Sequence, residues 1–107
     1  MDTLKTGTAM HTLNYYIDAA LRVQNIESDR QLAFRLEQSA GNVYMWRSKK
    51  TMPSDDTIVK LAQLGKKDVC KALIDLNIWR SEGNSKNTYI AMAEYLNSQE
   101  QTILAAE

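Results

Sequence analysis

Ser28 to Lys50 reads SDRQLAFRLEQSAGNVYMWRSKK, and the spacing of its apolar residues decides the fold. Ser28-Asp29-Arg30-Gln31 has the S-x-x-Q form of a capping box, in which the Ser hydroxyl accepts from the third helical N–H and the Gln side chain reaches back over the helix start. A helix therefore begins at Asp29. Leu32, Ala33 and Leu36 stand three and four apart and form its inner face, with Phe34 on the flank and Gln31 and Arg35 toward water. Glu37-Gln38 falls outside that pattern, and Ser39 is placed to cap a second helix. With Val43 inward, a rotation of about 100° per residue sets Trp46 beside it and turns Gly41, Tyr44, Met45 and Ser48 to the opposite side. Two short helices joined by a tight turn result, and the second has an outward face.

The flanking chain looks like support for that unit. Leu13, Tyr16, Ile17, Ala20 and Leu21 follow helical spacing, with Thr12 or Asn14 as a cap and Ile26 packing after the end. Beyond the turn unit, Pro53 biases Met52 away from helical geometry, so Thr51-Met52-Pro53 is a link. Ser54 caps a helix opening with Asp55-Asp56, whose charges suit the positive end of the helix dipole. No nucleophile or ligand stands near this pair to make it an acid/base dyad. Ile58, Leu61 and Ala62 form the inner face of that helix, and Gly65 is expected to stop it. From Val69 to about Ser81 a longer helix carries two apolar stripes: Val69, Ala72, Leu73, Leu76 and Trp79, then Cys70, Ile74 and Ile78. Lys71, Asp75, Asn77 and Arg80 are read as facing water. A helix apolar on two sides must touch two things.

Gly83-Asn84-Ser85 breaks the pattern, and Ser85 is placed to cap a helix sharing Tyr89, Met92, Ala93 and Leu96 on one face. Asn97-Ser98-Gln99-Glu100 repeats a capping form, so either a short final helix begins there or the same one continues to Ile103 and Leu104. At the other end, MDTLKTGTAMHT has no periodicity and reads as a flexible arm over residues 1–12. The remaining divisions are a helical domain over 13–81 and a helical extension over 84–107. The expected class is all-α.

Charge is uneven along the chain. The 107 residues carry 13 Lys/Arg and 13 Asp/Glu, a formal net charge of zero. From Glu27 to Lys71 nine basic residues face six acidic ones, and from Ala72 onward two face five, so a basic middle coexists with a neutral total. The single Cys70 allows no internal disulfide, and no apolar run has the length of a membrane span or signal peptide. A cytoplasmic protein with no membrane association fits. His11 and Cys70 lack the spaced companions of a metal site, and no P-loop, G-x-S-x-G, H-E-x-x-H or C-x-x-C is present. No catalytic residue, cofactor or metal is expected, and an enzyme is not.

Leu32-Ala33, Leu36, Ser39, Val43, Trp46-Arg47 and Pro53, followed by Ile58, Leu61-Ala62 and Gly65, resemble the helix-turn-helix of the phage Cro and lambda-repressor-like family, related to the bacterial Xre regulators. The resemblance covers about Tyr15 to Lys67. It departs at two places where that family often has Gly: Glu37 in the turn and Lys49 after the second helix. The resemblance implies a five-helix lambda-repressor-like helix-turn-helix domain with one or more additional C-terminal helices. It also implies a sequence-specific transcriptional regulator, a phage or prophage Cro-type repressor that occupies a promoter.

On that reading the partner is double-stranded operator DNA, bound as a homodimer through the C-terminal helices. Base-reading residues are Ala40, Gly41, Tyr44 and Met45, with Asn42 added by a small rotation of the helix. They are poor in the paired hydrogen-bonding groups that separate bases strongly, so direct readout is modest. Phosphate contacts are expected from the helix start at Asp29, Arg30 and Gln31, from Ser39, and from Arg47, Ser48, Lys49 and Lys50. The alternative is a protein-binding module on the same fold, an anti-repressor or antitoxin, that uses Tyr44 and Met45 as an apolar patch.

Overall fold

In a computed structural model, residues 11–106 are described, and side chains from 100 onward are not. Among the described residues there are six helices and no strand: α1 Leu13–Gln24, α2 Asp29–Arg35, α3 Asn42–Arg47, α4 Asp55–Leu64, α5 Val69–Arg80 and α6 Gly83–Ala106. The all-α class is that of the sequence reading, and the short α2 and α3 joined by a turn are compatible with a helix-turn-helix fold.

Four of the helix starts follow from side-chain caps. Thr12 accepts from the Tyr15 N–H, Ser28 from Gln31, Ser54 from Thr57, and Asp68 from Cys70 and Lys71. The Gln31 side chain reaches back as expected, but its Oε1 accepts at 3.2 Å from the N–H of Glu27, one residue before the cap, and not from that of Ser28. α3 departs from expectation. Its first residue is Asn42, its N-cap Gly41 makes no side-chain bond, and Ser39 contributes its carbonyl to the Asn42 N–H rather than its hydroxyl.

The core is built from the inner faces of α1 to α5. Tyr16, Ile17, Leu32, Leu36, Val43, Ile58, Leu61 and Leu76 are almost wholly excluded from solvent, and Trp46 is buried beside them. α1 lies against α4, α4 against α5, and α5 against α6, while α2 and α3 pack on each other and on α1. Gly65 works by close approach instead of by a left-handed stop. Its φ is −88°, and a Cβ there would lie 2.9 Å from that of Ala19 and 3.0 Å from the Ala20 nitrogen. The left-handed residue is the next one, Lys66, at φ 57°. Glu37 at φ 60° and Lys49 at φ 63° are left-handed too, at the two places where the resembling family often has Gly.

Two boundaries differ from the sequence reading, and one that it leaves open is resolved. The break at Gly83-Asn84-Ser85 is shorter than expected, because α6 begins at Gly83 without a Ser85 cap. α6 then runs unbroken, so the capping form at Asn97 starts nothing. At the other end, His11 and Thr12 belong to the folded body and not to an arm: the His11 N–H donates to Asp75 and its carbonyl accepts from Trp79 Nε1 at 3.0 Å. The rest of the expected arm lies outside the described residues.

Asp75 is a further correction: the sequence pattern places it toward water, but it is 2% exposed. Its Oδ2 accepts from the Tyr16 hydroxyl and from the His11 N–H. Burial pushes the carboxyl above its ordinary range, against the opposing pull of the Tyr16 bond, and it pushes the Tyr16 phenol up as well.

A candidate nucleic-acid interface

The six residues of α3 present two faces. Val43 and Trp46 point into the core, at 0% and 4% exposure, while Tyr44 between them is 65% exposed. Met45 is half-buried, as are Ala40 and Asn42, and Gly41 is exposed, with nothing within 4 Å of where its Cβ would be. Tyr44, Gly41 and part of Met45 therefore share an open surface. Asn42 is less free: its Nδ2 donates to Gln38 Oε1 at 2.8 Å, and Gln38 in turn donates to Thr57. Reading a base with Asn42 requires that bond to open.

Charged residues border this face at the end of α3. Lys49 and Lys50 are exposed, and neither pairs with a carboxylate among the described residues. The Ser48 hydroxyl is exposed and donates to the Met45 carbonyl. On α2, Arg30 is exposed, with its guanidinium 5.6 Å from the Phe34 ring centre. Ser39 is exposed in the turn.

Arg47 has a different occupation from the phosphate grip expected of it. Nε donates to Asp29 Oδ2 at 2.7 Å, Nη2 to Asp29 Oδ1 at 3.2 Å and to Asp18 Oδ1 at 2.8 Å, and Nη1 to Asn14 Oδ1 at 2.9 Å. Donation to the Asp29 carboxylate is the largest reason its basicity is raised. Arg47 is thus a strut joining α3 to α2 and α1. Asp29 is used up by the same contact, and the Gln31 N–H is already taken by Ser28, so the start of α2 offers a phosphate less than expected. Asn14 and Asp18, one turn apart on the outer side of α1, carry no sign in the sequence that they meet Arg47.

Among the described residues there is no group of three or more His, Cys, Asp or Glu able to hold a metal, and no helix long and apolar enough to cross a membrane. Cys70 is an exposed free thiol. No protein-family model, curated protein or solved structure matches the chain.

Proposed function

We propose that the chain is a sequence-specific DNA-binding regulator of the Cro type that represses by occupying a promoter, with α3 laid in the major groove. The observation that carries this reading is the division of α3: Val43 and Trp46 held inside, Tyr44 open, and two exposed lysines shortly after it that pair with no carboxylate among the described residues. A helix in the major groove needs an outward face clear of its own protein and cations at the strand it lies along. Tyr44 and Met45 would meet base edges, with Ala40 and Gly41 close to the duplex. Arg30, Lys49 and Lys50 would hold phosphates, with Ser39 and Ser48 beside them. Apolar contact with thymine methyl groups, the Tyr44 hydroxyl and DNA shape supply the discrimination.

The partner state proposed with it is a homodimer through α5 and α6. Ile74, Thr88, Ala91, Met92, Tyr95 and Leu96 line an open apolar groove there, and Met92 and Tyr95 are 45% and 63% exposed. At 1.5 Å per residue, α6 is twice as long as α5 and runs past it.

Fluorescence anisotropy of DNA from upstream of the protein's own gene, beside a random duplex, tests the reading at two salt concentrations. Binding that weakens with salt by a log-log slope of about −0.9 per phosphate held supports a DNA reader. Absence of binding to either duplex at low salt contradicts it. An apolar protein contact made by Tyr44 and Met45 would instead be nearly indifferent to salt.

A further inference from the structure

Both tryptophans of the chain border one cavity of about 240 Å³, at the junction of α1, the end of α3 and α5. Leu13, Trp46, Met52 and Trp79 are its apolar walls, and Asn14, Arg47 and Lys49 stand among the polar groups of its lining. We propose that this cavity binds a small planar organic anion, an aromatic carboxylate, with the ring between the tryptophan-bearing walls and the carboxylate on Lys49.

Three observations lead there. The cavity is smaller than most ligand sites, which run from roughly 300 Å³ upward, so its occupant is of single-ring size. Two indoles and a thioether favour a flat, polarisable body over an aliphatic one. The two cations of the lining are not equivalent, because Arg47 is already neutralised by Asp29 and Asp18, whereas Lys49 pairs with no carboxylate among the described residues. Lys49 also holds its place at φ 63°, a conformation that costs a side chain about 1 kcal/mol or more and that glycine would adopt freely.

The proposal goes beyond the DNA reading and does not require it. If both hold, the anion would occupy the ammonium group assigned above to a phosphate, and so would weaken DNA binding.

The test uses the full chain without DNA, so that its failure is distinct from failure of the DNA reading. Benzoate and its neutral counterpart benzamide are titrated while the two indole N–H cross-peaks are followed in ¹H–¹⁵N correlation spectra. Both peaks should shift with one saturable isotherm for benzoate, with a Kd on the order of 1 mM or tighter. Benzamide should bind about threefold more weakly, the scale of an exposed ion pair. Lys49→Gly, which suits the left-handed backbone and so retains the fold, should reduce benzoate to the benzamide level, and Lys49→Arg should restore it. Shifts that do not saturate, equal affinity for the two compounds, or a Lys49→Gly variant that binds benzoate as the natural chain does would overturn the proposal.

Discussion

Arg47 at the end of α3 and Asp29 at the start of α2 meet through two hydrogen bonds, at 2.7 and 3.2 Å, which fix the angle between the two short helices. Neither helix is long enough to be stable alone, so contacts of this kind set the geometry of the turn unit. Arg47→Ala should therefore lower stability by about 1–2 kcal/mol in urea unfolding, since it strips charged partners from Asp29 and Asp18. Lys49→Ala and Lys50→Ala should stay within about 0.5 kcal/mol of the natural chain. An Arg47→Ala protein of full stability would show that the strut carries no weight.

Asp75 gives a pH dependence with a definite sign. Its folded-state pKa is raised, so its contribution to stability is fully present below the ordinary carboxylate value and is lost as pH rises through the folded value. Asp75→Asn removes that dependence while keeping an oxygen for the Tyr16 hydroxyl and the His11 N–H, which both converge on Oδ2. Stability measured from pH 3 to 8 should thus fall for the natural chain relative to Asp75→Asn, with the variant at least as stable at pH 7. Asp75→Ala should lose about 1–3 kcal/mol at every pH, because it leaves the buried Tyr16 hydroxyl without a partner. A natural chain that gains on Asp75→Asn as pH rises would reverse the assignment.

How much of this was legible in the sequence depended on whether the signal was local. Capping at Ser28 and Ser54, the Leu32-Ala33-Leu36 face and the opposed Val43 and Tyr44 all follow from spacing within one helix. The left-handed Glu37 and Lys49 were visible only as departures from the resembling family's Gly. Asp75 was hidden because α5 is apolar on most of its circumference, so one carboxylate in it looks like the wet side; its burial depends on Tyr16, 59 residues away. The occupation of Arg47 was hidden for the same reason, since Asn14 and Asp18 come to it from 33 and 29 residues away. Gly65 ends α4 where the sequence places the stop, but the close approach to α1 that also demands glycine there leaves no local sign in a sequence.

That close approach is itself testable. Gly65→Ala places a methyl group 2.9 Å from Ala19 Cβ and about as close to the α1 backbone, which cannot swing aside as a flexible side chain would. Thermal unfolding should show a loss of about 1–3 kcal/mol, through displacement of α4 from α1. An unchanged midpoint would mean the two helices have slack that the packing does not suggest.

Glu37→Gly should act in the opposite direction. Relief of a left-handed side chain is worth roughly 1 kcal/mol, and the exposed contact of Glu37 with Lys60 at 3.9 Å takes little back. A rise in the urea midpoint is expected, with DNA affinity unchanged. A fall would show that the turn needs the Glu37 side chain.

The most direct test of the proposed role of α3 compares Tyr44→Ala with the double variant Lys49→Ala/Lys50→Ala by anisotropy, on the upstream duplex and a random one. Tyr44→Ala should narrow the ratio of the two affinities, by about 1–3 kcal/mol if Tyr44 discriminates a base pair, with thermal stability retained. The lysine variant should weaken both duplexes together and leave the ratio in place. If Tyr44→Ala leaves the ratio untouched, and the lysine variant binds both duplexes as tightly as the natural chain, the outward face of α3 does not read DNA.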